Sequence, residues 1–424
     1  MVMTKSDTEL GGDLLALRGV QWIMGTKNDP YALLLRGADD DPHALGRGIR
    51  ERGALYRSHA EAWVTADHAM AEAILNDPRL GPGHPDAAPA EGGGHEPDEE
   101  HEPMPWDFPA LRDVLPLDDA CLSLPRAEYE RVNAAGAAIL GAPALAPLAE
   151  GLTAGCALRL RGLSDRFDLM AEYAHRCAAD AAAEVLGLPA EQRDRFTDLC
   201  ARAAGTLDAT LCPPRLDVAR RLLGSVAELR ALLAGTVPAE GAGAVLAPED
   251  ALTAGVLTAV AGVELTATLI CNTVAVLLDH PEAWAVVCEA PEETAGQAVD
   301  ETLRYLPPVR LHRLYAQSDL ALGGHEVERG AEVVVAAEAA LRDPAVYPDP
   351  ERFRLGRPAA GSAGLPLSAA PHLALVAPLV RLQAVCAVRA LAARFPGLSR
   401  TEPVLRRLRS PITAAVLHLP LTVR

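Results

Sequence analysis

The sequence predicts a mainly α-helical protein with a small β portion, and three observations carry that expectation. From about residue 150 to 306 apolar residues recur at helical spacing in Ala- and Leu-rich stretches. Within them, residues 251–278 form an apolar run whose sole charge is Glu264. Strand patterns are short: Asp319–Leu322 and His325–Glu328 flank Gly323-Gly324 as a hairpin, and Glu332–Val335 follows.

In chain order, helix breaks are expected near Gly187-Leu188-Pro189, Pro213-Pro214 and the stretch from Thr236 to Pro248. The run 251–278 is long enough to cross a bilayer at about 1.5 Å per residue. It is nonetheless rich in Ala, Thr and Gly, carries Asn272, is entered through Pro248-Glu249-Asp250 and ends at Asp279-His280-Pro281. Those are the limits of a buried core helix, apolar all round, and no membrane association is expected. Residues 81–105 combine Gly, Pro and acid with little to bury, which predicts a mobile acidic loop. No internal repeat is present.

Composition bounds function. Half of the 424 residues are hydrophobic and 23% are charged, which excludes disorder as the global state. A formal net charge of -18 and the lack of any Lys/Arg cluster interleaved with aromatics exclude nucleic acid as a partner. The start of the chain lacks the apolar core of a signal peptide, and the eight cysteines show no paired spacing; a cytoplasmic protein with free thiols is expected. No metal-ligand cluster, Gly-rich phosphate loop or Ser-His-Asp spacing stands out, so no metal is expected.

Four patterns then follow in a fixed order. Ala261-Gly262-Val263-Glu264 lies in the long apolar helix. Glu301-Thr302-Leu303-Arg304 places Glu and Arg on one helical face before Tyr305-Leu306-Pro307-Pro308. Arg342-Asp343-Pro344 leads into Tyr347-Pro348-Asp349-Pro350-Glu351-Arg352-Phe353, and Ala377-Pro378-Leu379-Val380-Arg381-Leu382-Gln383 opens a last helix. In this order they resemble the C-terminal half of the cytochrome P-450 family. Weaker similarity extends forward through Asn76-Asp77-Pro78-Arg79-Leu80 and Asp29-Pro30-Tyr31. The resemblance implies one domain over 1–424, a triangular helical prism around a long central helix, with Glu301, Arg304 and Arg352 joined as its structural motif.

Where the family's loop runs Phe-Gly-x-Gly-x-His-x-Cys-x-Gly to hold haem, this chain has Leu367-Ser368-Ala369-Ala370-Pro371-His372-Leu373-Ala374-Leu375-Val376. The position of the haem-ligating cysteine is Ala374, and a methyl group supplies no thiolate. Ser368, Ala370 and Val376 replace glycines, adding Cβ atoms where the family turns tightly. Cys386, twelve residues on and well inside the next helix, reads as a buried thiol, and His372 stands where the family also has His. Leu265 falls at the proton-relay alcohol beside Glu264, with Thr266 one place late. Ala127 replaces the propionate-binding His of the motif ending at Arg131, and Leu314, next to Arg313, falls at another propionate-binding Arg. The expectation is a P-450 fold without haem or any other cofactor and without catalytic residues.

Haem-free homologues of this kind resemble the auxiliary proteins of actinobacterial glycosyltransferases that attach deoxyaminosugars to polyketide aglycones such as macrolides and anthracyclines. The resemblance implies a glycosyltransferase partner that is stabilised or activated. Two other readings remain: a haem-independent dehydratase or cyclase using Glu264 as acid or base in the emptied cavity, and a monooxygenase with an unusual haem ligand.

Overall fold

The computed structural model describes residues 5–37, 41–86, 109–235, 246–357, 364–365 and 367–423. Most of the acidic stretch 81–105 and of the break from Thr236 to Pro248 lies outside the described residues.

The chain enters through the helix Asp7–Gly25, started by a capping box in which Ser6 and Glu9 exchange bonds between side chain and backbone. Leu10 and Leu14 fix this helix on Val114, Leu115, Ala219 and Leu222. A helical body follows, with helices Arg126–Leu140, Ala149–Leu160, His175–Val185, Ala190–Ala203 and Leu216–Ala234. The expected breaks fall between these elements. Gly187 takes φ +67°, which a residue with Cβ adopts at a cost, and Pro189 caps the helix that begins at Ala190. Pro213-Pro214 separates the short turn Thr206–Ala209 from the helix at Leu216.

The long apolar run forms the central helix as expected. Pro248 stands in its first turn with Glu249 and Asp250, and it ends at Asp279. Its most apolar stretch is buried throughout, so the faces that would meet lipid meet protein instead. Thr258–Gly262 winds as a π-helical turn between the α-helical halves Pro248–Leu257 and Val263–Asp279, a feature no residue pattern had marked. The last helix, Ala377–Arg394, lies against both the central helix and Ala149–Leu160.

The β portion is larger than the sequence reading. A five-stranded sheet runs in the order Tyr56–Arg57, Trp63–Thr65, Glu332–Val335, His312–Ala316, Leu80–Gly81. Trp63 pairs with Val333 in parallel, and His312 pairs with Val335 in antiparallel register. Glu332–Val335 is the strand the pattern predicted. Of its neighbours, Trp63–Thr65 is too short to show alternation, and His312–Ala316 does not alternate polar with apolar residues. The predicted hairpin is present, with Leu322 opposite His325 and positive φ at both Gly323 and Gly324, as a two-residue turn of that twist requires.

Candidate functional site

Two places hold the residues singled out by sequence: the scaffold around Glu301, and the loop 367–376 facing the central helix. In the scaffold Arg304 grips Glu301 with a two-pronged pair at 3.0 and 2.8 Å, both side chains buried on the helix Pro291–Tyr305. Arg304 also donates to the carbonyls of Leu341, Pro350 and Arg352. The third cation is not the one expected. The Arg352 side chain is exposed and offers only its backbone carbonyl, whereas Arg357 Nε reaches Glu301 Oε1 at 3.2 Å and donates to the carbonyls of Pro348 and Arg352. The backbone turns between 352 and 357, with Gly356 at φ +67°, and so brings the later arginine inward. Proximity in the motif pointed to Arg352. No local pattern distinguishes the two arginines before the turn is known.

The loop before the last helix is a series of successive turns. Ala370 N donates to Leu367 O, Ala374 N to Ala370 O, and Val376 N to Leu373 O, so the chain winds continuously into the helix at Ala377. None of residues 367–376 takes a positive φ, which is why Ser368, Ala370 and Val376 are accommodated without glycine. Ala370 and Val376 are buried, while Ser368 is exposed. The loop is held from two sides. Asn133 donates to Pro371 O at 3.1 Å, and Leu375 lies so close to Gly136 that a Cβ there would stand 2.6 Å from its Cδ1. On the other side Val376 meets the π turn: its Cβ is 3.6 Å from where a Cβ of Gly262 would be.

Ala374 offers this environment a methyl group and no donor atom. Cys386 is buried on the last helix with Sγ 3.5 Å from Ala149 O, facing the neighbouring helix. His372 lies between Tyr129 and His312, ring centroids 6.2 and 6.3 Å away. Burial, then the charges of His312 and Arg313, lowers its pKa to about 3, and burial lowers that of His312 to about 4. Both are therefore neutral near pH 7. His312 reaches Leu365 O at 2.9 Å through Nε2, and neither Nδ1 has a hydrogen-bond partner.

The remaining positions disperse. Ala127 is exposed on the helix Arg126–Leu140, and Arg131, further along it, pairs with Asp250 at the entry of the central helix. Leu314 is buried among Trp63, Leu80 and Val333. Leu265 is buried in the main core, and Thr266 turns its hydroxyl back onto Gly262 O at 2.7 Å. Glu264 is fully engaged: Oε1 pairs with Arg407 at 2.6 Å and Oε2 accepts from Gly205 N at 3.0 Å. Asp208 stands 3.6 Å from the same guanidinium and accepts from Ser410, Thr413 and the backbone of Ile412 and Thr413. Burial, then the neighbouring Glu264 carboxylate, raises the Asp208 pKa. Sequence reading had passed over Asp208 and Arg407. The only available signals were one acid in an apolar stretch and a cation in the run Arg406-Arg407-Leu408-Arg409.

The profile of the family described as Cytochrome P450 matches residues 188–369. Protein AknT of Streptomyces galilaeus is 45% identical, with 99% of this chain and 96% of that protein covered. Cytochrome P450 family protein EryCII of Saccharopolyspora erythraea is 33% identical with 99% of each covered. The solved structure of Mycobacterium smegmatis CYP164A2 in its ligand-free state superposes with a TM-score of 0.75 at 23% identity, covering 93% of this chain and 99% of that one. The chain belongs to the cytochrome P450 family and has its fold.

Proposed function

We propose that this protein binds no haem and serves as a non-catalytic auxiliary protein that binds and stabilises or activates a glycosyltransferase. By the resemblance of its motifs, that transferase attaches a deoxyaminosugar to a polyketide aglycone of macrolide or anthracycline type. The carrying observation is how little space separates Val376 from the central helix: a Cβ built on Gly262 would already lie 3.6 Å from Val376 Cβ, an ordinary packing distance. In the family the loop holds the iron and the long helix faces the bound oxygen, so a haem lies between them; here, at Val376, about one carbon's width separates the two elements. The residues present do not fit the group: Ala374 has no donor, Leu265 and Leu314 are core side chains, Ala127 is exposed without a polar atom, and Arg131 is engaged by Asp250.

The enzyme reading with Glu264 as acid or base has less support. A proton-transfer group needs a free oxygen within reach of substrate, and both oxygens of Glu264 are occupied. An auxiliary protein needs no such group. It acts by binding one conformation of its partner more tightly, and a differential of about 1.4 kcal/mol shifts that equilibrium tenfold.

The test is coexpression with a deoxyaminosugar glycosyltransferase from the same organism, a haem absorption spectrum of the purified protein, and a sugar-transfer assay with and without it. Transfer that rises with no haem band supports the proposal; a haem band, or transfer indifferent to the protein, overturns it.

A further inference from the structure

We infer that the outward face of the helix Asp7–Gly25, together with its C-terminal cap, is the docking seam for an acidic-flanked amphipathic helix of the partner. The inference rests on the glycosyltransferase partnership proposed above. Gly12, Leu15, Gly19, Trp22 and Thr26 follow one another at alternating steps of three and four residues, and all five are exposed. That spacing keeps one stripe facing outward over four turns, the repeat by which two helices interlock. Leu15 is 69% exposed, Trp22 54% and the flanking Ile23 63%. Isolated exposed apolar residues are ordinary, but a continuous stripe without a charge marks a surface that another molecule covers.

The relief of the stripe names the occupant's shape. Nothing stands within 4 Å of a Cβ built at Gly12 or Gly19, so two notches alternate with the two large side chains. A second helix fits that relief, with its large residues entering the notches. A lipid surface would gain little area from them.

Charge names the occupant's chemistry. In a chain of net charge -18, cations gather beside the C-terminal half of this stripe, whereas Asp7, Glu9 and Asp13 flank its N-terminal half. Arg36 stacks on the Trp22 ring at 5.1 Å, and Arg409 bonds Gln21 Oε1 at 2.7 Å while the neighbouring Leu408 stands 75% exposed. Burial lowers the Arg409 pKa, and repulsion from the Arg18 charge adds to it. Among the described residues, Arg18, Lys27 and Arg409 meet no carboxylate within 4.0 Å. Carboxylates along the flank of a partner helix would relieve that repulsion and fix its direction.

The test uses the full chain and the coexpressed glycosyltransferase, with Leu15→Asp and Gly19→Gln measured for complex affinity, transfer activity and melting temperature. Gly19→Gln adds a side chain to an open notch in a helix interior, so its melting temperature is expected to hold or rise while the complex weakens at least tenfold. Leu15→Asp is expected to weaken it similarly. If the wild-type protein forms no complex, the proposed partnership fails and this seam with it. If the wild type binds and both variants bind within twofold of it, the seam alone is overturned. The seam is equally overturned if the wild-type protein by itself is a dimer that Leu15→Asp disperses, or if it sediments with anionic phosphatidylserine vesicles and Leu15→Asp does not.

Discussion

At the scale of single residues, two histidines, His312 buried and His372 half-buried, make the protein acid-sensitive in a defined window. His312 and His372 have pKa values lowered to about 4 and about 3, against about 6.5 in an unfolded chain. The unfolded state therefore binds more protons than the folded one below about pH 6.5. Stability contributed by keeping them neutral is fully present above that pH and is lost as pH falls towards the folded values. Each histidine steepens the loss by up to about 1.4 kcal/mol per pH unit. Replacing His372→Phe is expected to flatten the dependence of urea unfolding on pH between about 4 and 6.5; an unchanged slope would show that this histidine is solvated. The arginines near Glu301 separate in the same way. Arg357→Ala removes a buried partner of Glu301 and is expected to cost about 2–3 kcal/mol, while Arg352→Ala, whose exposed side chain is not used, should stay within about 0.5 kcal/mol. Equal losses in denaturant titration would restore Arg352 to the motif. The Glu301–Arg304 pair was legible because helical spacing alone puts two residues three apart on one face. The third arginine was not, because its approach depends on a turn at Gly356.

At the scale of elements, one ion cluster ties three distant segments together. Gly205 and Asp208 lie after the helix Ala190–Ala203, Glu264 lies on the central helix, and Arg407 belongs to the C-terminal hairpin. Gly205 takes φ +99°, and a Cβ there would stand 3.1 Å from Arg407 Nη1, so glycine is what lets the guanidinium lie on the turn. Removing the cation leaves two buried carboxylates facing one another. Arg407→Met is therefore expected to destabilise the protein by about 3–5 kcal/mol, whereas Glu264→Leu combined with Arg407→Leu should recover part of that loss. A double variant no better than the single one would show that Asp208, rather than Glu264, carries the coupling. The central helix itself was readable because its composition and end signals are local. The π turn within it was not, because nothing in Thr258-Ala259-Val260-Ala261-Gly262 departs from ordinary helix-compatible sequence. The edge strands were hidden for the opposite reason: two residues hold too little alternation to be seen, and only pairing defines them, Tyr56–Arg57 with Trp63–Thr65 and Leu80–Gly81 with His312–Ala316.

At the scale of the whole molecule, the scaffold around Glu301 is built without any residue of the loop 367–376. The Glu301–Arg304–Arg357 network joins the helix Pro291–Tyr305 to the backbone of 341–357, and its hydrogen bonds need no cofactor. The loop 367–376 holds no glycine and no positive φ, its turns run directly into the last helix, and Val376 leaves room for about one carbon beside Gly262. This makes reversal a stringent test. If the missing cysteine were the sole obstacle, Ala374→Cys would recover a haem–thiolate spectrum. The geometry argues otherwise, because the new thiol would sit in a loop packed close to the central helix, while Ala127 is exposed and Leu314 lies in the core, and neither side chain carries a polar atom. Ala374→Cys expressed with haem precursor is therefore expected to purify with no more haem than the wild type and to retain its effect on sugar transfer. A variant that takes up haem stoichiometrically and keeps its melting temperature would mean that loop and helix separate readily, and that the pocket is closed by packing that a ligand can displace.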